Sequence, residues 1–274
     1  MSPWKKLLER PESRSHLVQL YQADEQALAT NVGKYLWEGY KNGDGLLVIT
    51  SPQNRDAFRA ELEKLGADLK TIVQAGQLVF FDAQETLSRF MIDGQPDWAL
   101  FQDVVGSAMR KVRSQTQFAG LRAYGEMVGI LWKAREFAAA IRLEQFWNKL
   151  LTRSSFSLFC GYAIDVFGKD FQIASLDALL CAHTHLVPAT DGNLETAINR
   201  AMDEILGPSA RDLKLLIKAN FRPAWAIMPF GEAMALWLRN NLPKQADNIL
   251  ESARQHYDLI RRNGTYGLAR SAHP

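Results

Sequence analysis

The chain of 274 residues lacks the short motifs that would assign a chemistry directly. It contains no G-x-S-x-G, H-E-x-x-H or C-x-x-C sequence, which leaves it without the local signatures of common hydrolases, zinc proteases and redox enzymes. Its only cysteines are Cys160 and Cys181, and both are expected to be reduced thiols. A triad assembled from distant residues stays open, and no catalytic residue is predicted.

Long apolar runs and a strong charge imbalance are also missing. No stretch reaches the length of a signal-peptide core or a membrane span. The formal net charge is only +2, without the basic excess typical of sequence-independent phosphate binding. We therefore expect a cytoplasmic protein with no membrane partner, and nucleic acid is not expected as a partner either.

Short apolar runs alternate with amphipathic helices over the first 190 residues. The predicted strands are 16–21, 46–50, 78–81, 118–124, 156–162 and 183–188. The predicted helices are 23–41, 55–65, 97–113, 133–153 and 173–182. This alternation predicts an α/β fold with a mostly parallel sheet and helices on both faces.

The pattern changes after Pro188, where no further strand is apparent. Apolar residues recur at helical spacing in three stretches that begin near Leu194, Leu213 and Ala246. The sequence thus predicts an α/β domain over residues 1–189 and a helical C-terminal extension over residues 190–274.

Polar residues follow several of the predicted strands. In an open parallel sheet, ligands bind beyond the carboxyl ends of the strands. We therefore predict a ligand-binding set of Thr50, Ser51, Gln53, Asn54, Asp82, Tyr124 and Glu126.

The loop after the strand 46–50 lacks what nucleotide hydrolysis needs. A phosphate-binding loop requires G-x-x-x-x-G-K-[ST], so that backbone N–H groups and a lysine surround the phosphates. Residues 50–56 contain no glycine and no lysine, and Pro52 removes one N–H donor. We predict a degenerate, non-hydrolytic nucleotide site and no cofactor.

Glu126 is the most informative single charge. Following a buried strand, its carboxylate could hold a basic ligand group, orient a water or bind a metal. The structural alternative is a helix cap or an ion pair with Arg122 or Arg135. Farther along, Glu144 and Asn148 share an apolar helix face and are predicted to be a buried or half-buried hydrogen-bonding pair that fixes the helix against the sheet.

The segment Cys181-Ala182-His183-Thr184-His185 carries three possible metal ligands. On a strand, the two histidines would share one side. A metal site needs further ligands, however, and the other histidines are scattered along the chain. The sequence therefore favours hydrogen-bonded histidines, and no metal site is predicted.

Several blocks resemble the MEDS domain, the sensory domain of methanogen and methylotroph proteins and of the regulator DcmR. They are Gln19-Leu20-Tyr21, Glu38-Gly39-Tyr40, 45–50, Gly76-Gln77-Leu78, 122–128, 138–144, Trp147-Asn148 and His183-Thr184-His185. The resemblance, over roughly residues 15–188, implies a RecA- or KaiC-like fold in bacterial and archaeal signalling proteins. It also implies sensing of small molecules such as hydrocarbon derivatives, and it transfers no catalytic residue.

Three functional hypotheses follow. The first is a signalling module that binds a small ligand at the strand ends and passes a change to the helical extension. The second is an enzyme that uses Glu126 with an unconventionally bound nucleotide or metal. The third is a scaffold whose extension docks a signalling partner or a second copy of the chain. The missing phosphate-binding loop and the family resemblance favour sensing over catalysis.

Overall fold

A computed structural model describes residues 2–21, 24–114, 120–220 and 226–270, apart from the side chains of residues 114, 175, 220 and 263–270. Its strands are β1 (His16–Leu20), β2 (Gly45–Thr50), β3 (Leu78–Asp82), β4 (Met91–Ile92), β5 (Gln95–Pro96), β6 (Leu121–Gly125), β7 (Ser157–Tyr162) and β8 (His185–Leu186).

The helices of the described residues cover both faces of the sheet and make up most of the described C-terminal region. They are α1 (Pro3–Glu9), α2 (Glu25–Lys41), α3 (Pro52–Lys64), α4 (Leu69–Gln74), α5 (Ala83–Ser88), α6 (Trp98–Ser114), α7 (Met127–Lys133), α8 (Phe137–Arg153), α9 (Ile173–Ala182), α10 (Asn193–Leu206), α11 (Ser209–Asn220), α12 (Phe230–Asn241) and α13 (Pro243–Arg270).

Six strands form one parallel sheet in the order β3-β2-β6-β7-β1-β8, which confirms the predicted α/β class. The other two strands, β4 and β5, form a small antiparallel hairpin. The chain moves from β2 outward to β3, but from β6 it moves the opposite way to β7. The order of connection therefore reverses between the neighbouring strands β2 and β6.

The apolar strands are buried because helices cover both of their faces. Every residue of β2 is buried, as the continuous apolar run predicts. Leu46 and Val48 pack with α1–α4 on what we call the front face. Leu47 and Ile49 point the other way and pack with α5–α9 on the back face.

The sequence prediction differs from the structure in several local elements. The predicted helix 133–153 begins only at Phe137, because Arg135 adopts a positive φ of 62° between α7 and α8. The predicted strand 118–124 corresponds to β6, which begins only at Leu121. Residues 118 and 119 of that prediction lie outside the described residues. The short elements α1, α4, α5, α7 and the β4–β5 hairpin were not predicted, and neither was α12.

The C-terminal helices pack on one another and on the back face. Residues of α10, α12 and α13 join the same apolar cluster as Leu176 and Leu180 of α9. Arg239 of α12 donates to the Phe167 carbonyl at 2.8 Å. Polar contacts therefore also join residues on the two sides of the predicted domain boundary at residue 189. The division into two domains at that residue stays a prediction.

Among the described residues, no helix combines the length and the apolar character that crossing a membrane requires.

Candidate functional site

The residues that follow β2 and β6 share one crevice. The two strands are neighbours, yet α3 leaves β2 toward the front face and α7 leaves β6 toward the back face. Such a reversal opens a gap at the carboxyl edge of an α/β sheet, and ligands bind in gaps of this kind. The fold therefore places Ser51, Asn54 and Glu126 where the strand-end rule predicted them.

The carboxylate of Glu126 is the centre of this crevice. The residue is 4% exposed, and its Oε1 accepts a short hydrogen bond from the backbone N–H of Ser51. Its Oε2 accepts from Asn54 Nδ2 at 2.7 Å and from the Tyr124 hydroxyl at 3.2 Å. Each carboxylate oxygen is thus held by a donor from within the chain.

These contacts place a negative charge at the N-terminus of α3. Ser51 caps that helix, and its Oγ accepts from the Asn54 N–H at 3.4 Å. Helix N-termini favour anions, because their first N–H groups lack helical partners and the helix dipole is positive there. The Glu126 side chain stabilises α3 in this way, although it makes no capping hydrogen bond to its own helix α7.

The ion pairs considered from sequence are not formed. Arg122 Nε donates to Asp44 at 2.9 Å, and Arg135 lies over the ring of Phe137. The structural role of Glu126 is therefore real, but its partners are Ser51, Asn54 and Tyr124, and none of them is a cation.

The other predicted site residues lie around this centre. Thr50 is buried, and its Oγ1 has no hydrogen-bond partner. Asp82 caps α5 by accepting from the Glu85 N–H at 2.8 Å, and Gln53 is exposed on α3. The structure brings together Ser51, Asn54, Tyr124 and Glu126; the ligand-binding role of the set stays a prediction.

Sequence reasoning missed Tyr21, which also borders the crevice. Burial is the main cause that raises the pKa of Tyr21 to about 12, and the charge of Glu126 adds to it. Hydrogen bonding to Asn54 acts in the opposite direction. Tyr21 directly follows β1, so applying the strand-end rule to the first strand would have found it.

Replacing Glu126 with glutamine should lower the free energy of unfolding by about 1–3 kcal/mol, because one amide hydrogen would face the donors of Asn54 and Tyr124. Urea unfolding followed by circular dichroism measures this loss. The exposed neighbour Gln53 offers a control, since Gln53→Ala should change the free energy by less than about 0.5 kcal/mol. Equal effects of the two substitutions on the free energy of unfolding would contradict the stabilising role of the Glu126 hydrogen bonds.

A cavity of about 1120 Å³ opens at the same edge of the sheet, beyond the end of β7. Its sides are α8, α9 and the segment after β7, which includes Ile164 and Asp165. Its aromatic and cationic lining residues are Trp132, Lys133, Arg135, Phe137, Arg142 and Phe146. The size suits a small organic molecule, and the lining suits one with both apolar and polar parts.

The segment Cys181–His185 does not converge as a metal site. Cys181 is exposed, and His185 is half-buried with Nδ1 3.0 Å from Thr184 Oγ1. Only His183 points into the protein, where it is 5% exposed. The reason is that the strand is limited to His185–Leu186, and His183 instead ends helix α9.

The buried hydrogen-bonding role predicted for Glu144 and Asn148 is observed. Glu144 accepts from the Tyr162 hydroxyl at 2.6 Å, and Asn148 Nδ2 donates to the Ala182 carbonyl at 2.9 Å. Burial raises the pKa of Glu144 to about 8, and it lowers the pKa of the adjacent His16 to about 4. These bonds fix α8 against β7 and against the end of α9.

Comparison with known proteins gives one family. The family model described as the methanogen/methylotroph, DcmR sensory domain (MEDS) matches residues 15–184. No curated protein matches the chain. The matched range starts just before β1 and ends just before β8, so it contains both the Glu126 crevice and the cavity beyond β7.

Proposed function

The chain belongs to the MEDS family of sensory domains, and from this premise we propose that it is a signalling protein that senses a small molecule at the carboxyl ends of its strands. The observation that carries the proposal is the cavity of about 1120 Å³ beyond β7. It lies where ligands of parallel α/β sheets bind, and its volume is close to the upper end of what small-molecule sites use.

The lining favours an organic ligand with an apolar body. Trp132 and Phe137 form an edge-on pair with centroids 4.7 Å apart, and Ile141 and Ile164 add aliphatic surface. Arg142 lies over the ring of Phe146, so its cationic head is held beside an apolar wall. A hydrocarbon chain or ring with one polar or anionic group matches this surface, which is consistent with the hydrocarbon derivatives that the family resemblance implies.

Two contacts link the cavity to the C-terminal helices. Asp165 lines the cavity and pairs closely with Arg254 of α13. Two residues later, the Phe167 carbonyl accepts from Arg239 of α12. A ligand that moves the segment after β7 would therefore shift a pair of anchors of the helical extension. We propose this route for passing the signal to a partner or to a second copy of the chain.

The Glu126 crevice has the position of a nucleotide site but lacks the free N–H donors that would hold phosphate. In a phosphate-binding loop, N–H groups at a helix N-terminus hold phosphate oxygens. Here the Ser51 N–H already donates to Glu126, and Pro52 offers no N–H. A triphosphate would have to displace a buried carboxylate and would meet its charge. We therefore expect neither ATP binding nor ATP hydrolysis.

A thermal-shift screen tests the cavity as the sensory site. The panel contains ATP together with short-chain alcohols, carboxylic acids and halogenated alkanes. A cavity ligand at about a hundred times its Kd should add about 2.7 kcal/mol to the free energy of unfolding, whereas ATP should add nothing.

Two tryptophan substitutions on α9 sharpen the test. Ala178 lines the cavity, so Ala178→Trp should fill part of it and abolish the ligand shift. Cys181 is exposed about one turn farther along the same helix and is not among the residues that line the cavity, so Cys181→Trp should preserve the shift. No stabilisation by any compound, or equal loss in both variants, would count against the cavity as the sensory site.

A further inference from the structure

Four potential metal ligands from separate elements meet on the back face of the sheet. His16 begins β1, Cys160 lies in β7, Glu144 lies on α8 and His183 directly follows α9. None of the four is more than 5% exposed. One ligand atom from each lies within 4.8 Å of those of the other three. This arrangement is separate from both the Glu126 crevice and the cavity beyond β7.

The hydrogen bonds of the two histidines determine where their ring protons are. Asn148 Nδ2 donates to the Ala182 carbonyl, so Asn148 Oδ1 faces His16 Nδ1 at 3.0 Å and must accept its proton. His183 Nδ1 lies 2.8 Å from the Leu179 carbonyl, which can only accept. In both neutral imidazoles the proton is therefore on Nδ1, and each Nε2 presents a lone pair.

The His16 lone pair faces a carboxyl oxygen and a thiol, which is only a weak donor, and the His183 lone pair faces a carboxyl oxygen. His16 Nε2 lies 3.3 Å from Glu144 Oε2 and 3.4 Å from Cys160 Sγ. His183 Nε2 lies 3.4 Å from Glu144 Oε1, which already accepts from the Tyr162 hydroxyl. Both Glu144 Oε2 and His183 Nε2 are fully buried without a hydrogen-bond partner. A single carboxyl proton on Glu144 can serve only one of these two atoms, so at least one of them stays unpaired unless a cation lies among the ligands.

We propose that His16, Glu144, Cys160 and His183 form a buried zinc site. Zinc bonds of about 2.0–2.3 Å to nitrogen, oxygen and sulfur place tetrahedral ligand atoms about 3.3–3.8 Å apart. The separations of His16 Nε2 from Glu144 Oε2 and from Cys160 Sγ, 3.3 and 3.4 Å, fall in this range, and all four ligand atoms lie within 4.8 Å of one another, so zinc would draw the wider pairs closer. The Nδ1 hydrogen bonds to Asn148 and Leu179 are the orienting contacts that metal-bound histidines usually make.

Charge balance and ligand type favour zinc over other common cations. On binding, Cys160 releases its thiol proton and Glu144 is ionised, so two negative ligands and one Zn²⁺ form a site with no net charge. A neutral site avoids the penalty of a buried unpaired charge. Thiolate and imidazole ligands select zinc-like ions over magnesium or calcium.

The proposed site has a structural role, because four protein ligands leave no position open for water and none of them is exposed. It joins the start of β1 to β7, α8 and the end of α9, which are far apart in the chain. Bound zinc should therefore stabilise the α/β fold and leave ligand sensing at the cavity as a separate property.

Cobalt substitution tests the proposal, because Co²⁺ bound by a thiolate has a charge-transfer band in the near ultraviolet that free Co²⁺ lacks. Untagged full-length Cys181→Ser protein contains Cys160 as its only cysteine. After unfolding and refolding with Co²⁺, this variant should show the band and hold about one ion per chain. Zinc should displace the cobalt and remove the band. Absence of the band and of bound ion would overturn the proposal.

The reciprocal variant identifies the sulfur. Cys160→Ser retains the exposed Cys181 and should lose the thiolate band while keeping native circular dichroism. A band that persists in this variant would show that Cys181 is the ligand and would overturn the assignment. If Cys160→Ser does not fold, the Cys181→Ser spectrum decides alone, since any thiolate band in that protein comes from Cys160.

Discussion

Replacing Arg122 with methionine is expected to lower the free energy of unfolding by about 3–5 kcal/mol, because one partner of a buried charged network is removed. Arg122 is 3% exposed and its Nε donates to Asp44 at 2.9 Å. Its Nη1 donates to the carbonyls of Leu8 and Tyr35, and Nη2 donates to that of Glu9, all within 3.0 Å. The substitution would leave these carbonyls and a carboxylate without their donor.

Urea unfolding at neutral pH measures this loss, and an exposed arginine provides its control. Arg55 pairs with Asp56 at 3.2 Å, and their side chains are 44% and 70% exposed. Arg55→Ala should therefore cost no more than about 1 kcal/mol. A double-mutant cycle with Asp44→Asn then separates the ion pair from the carbonyl contacts. If Arg122→Met costs no more than Arg55→Ala, the buried network makes no net contribution.

The same arginine explains two sequence blocks that were recognised only by resemblance. A Cβ added to Gly39 would lie 2.6 Å from Cδ of Arg122, so a side chain at that position has no room. The block Glu38-Gly39-Tyr40 therefore lets Arg122 of β6 pass close to the α2 backbone. Neither block alone indicates this, because the contact forms only when β6 pairs beside β2 and α2 crosses the front face.

The main sheet could be predicted because its strands are short, apolar and regularly spaced. The run 46–50 is buried on both faces, and such a run has few alternatives in an alternating β-α pattern. Short elements were harder, because a helix of six residues such as α4 carries less than two turns of pattern. The β4–β5 hairpin did have a signal, since Asp93-Gly94 with positive φ at both residues is a favoured two-residue turn.

The location of the candidate site in the fold could be predicted from the sequence, but the hydrogen-bond partners of its residues could not. The strand-end rule found Ser51, Asn54 and Glu126 because β2 and β6 are adjacent. It could not show that Glu126 would accept from Ser51, because the partners visible along the chain were its own helix and nearby arginines, whereas Ser51 lies 75 residues away. The proposed zinc ligands illustrate the same limit: spacing rules search for clustered ligands, whereas His16 and Cys160 meet only through the pairing of β1 with β7.

Raising the pH from 5 to 9 should destabilise the protein through Glu232, which is 5% exposed in the first turn of α12. Burial is the main cause that raises its pKa from 4.5 to about 8, and the charge of Glu195 adds to it. Between these values the folded chain holds a proton that the unfolded chain has lost. The contribution to stability is therefore complete below about pH 4.5 and is lost as the pH rises through about 8.

Glu232→Gln removes this titration, so the free energy of unfolding of the variant should fall less than that of the wild type as the pH rises. Each pKa unit is worth about 1.4 kcal/mol, so the variant should gain up to about 4 kcal/mol relative to the wild type between pH 5 and pH 9. Urea unfolding across this range measures the gain, and Glu251→Gln on the exposed side of α13 should follow the wild-type curve. Glu144, whose pKa burial also raises to about 8, is common to all three proteins. Its contribution cancels in the difference, so parallel curves for wild type and Glu232→Gln would show that the Glu232 carboxylate is ionised in the folded protein throughout this range.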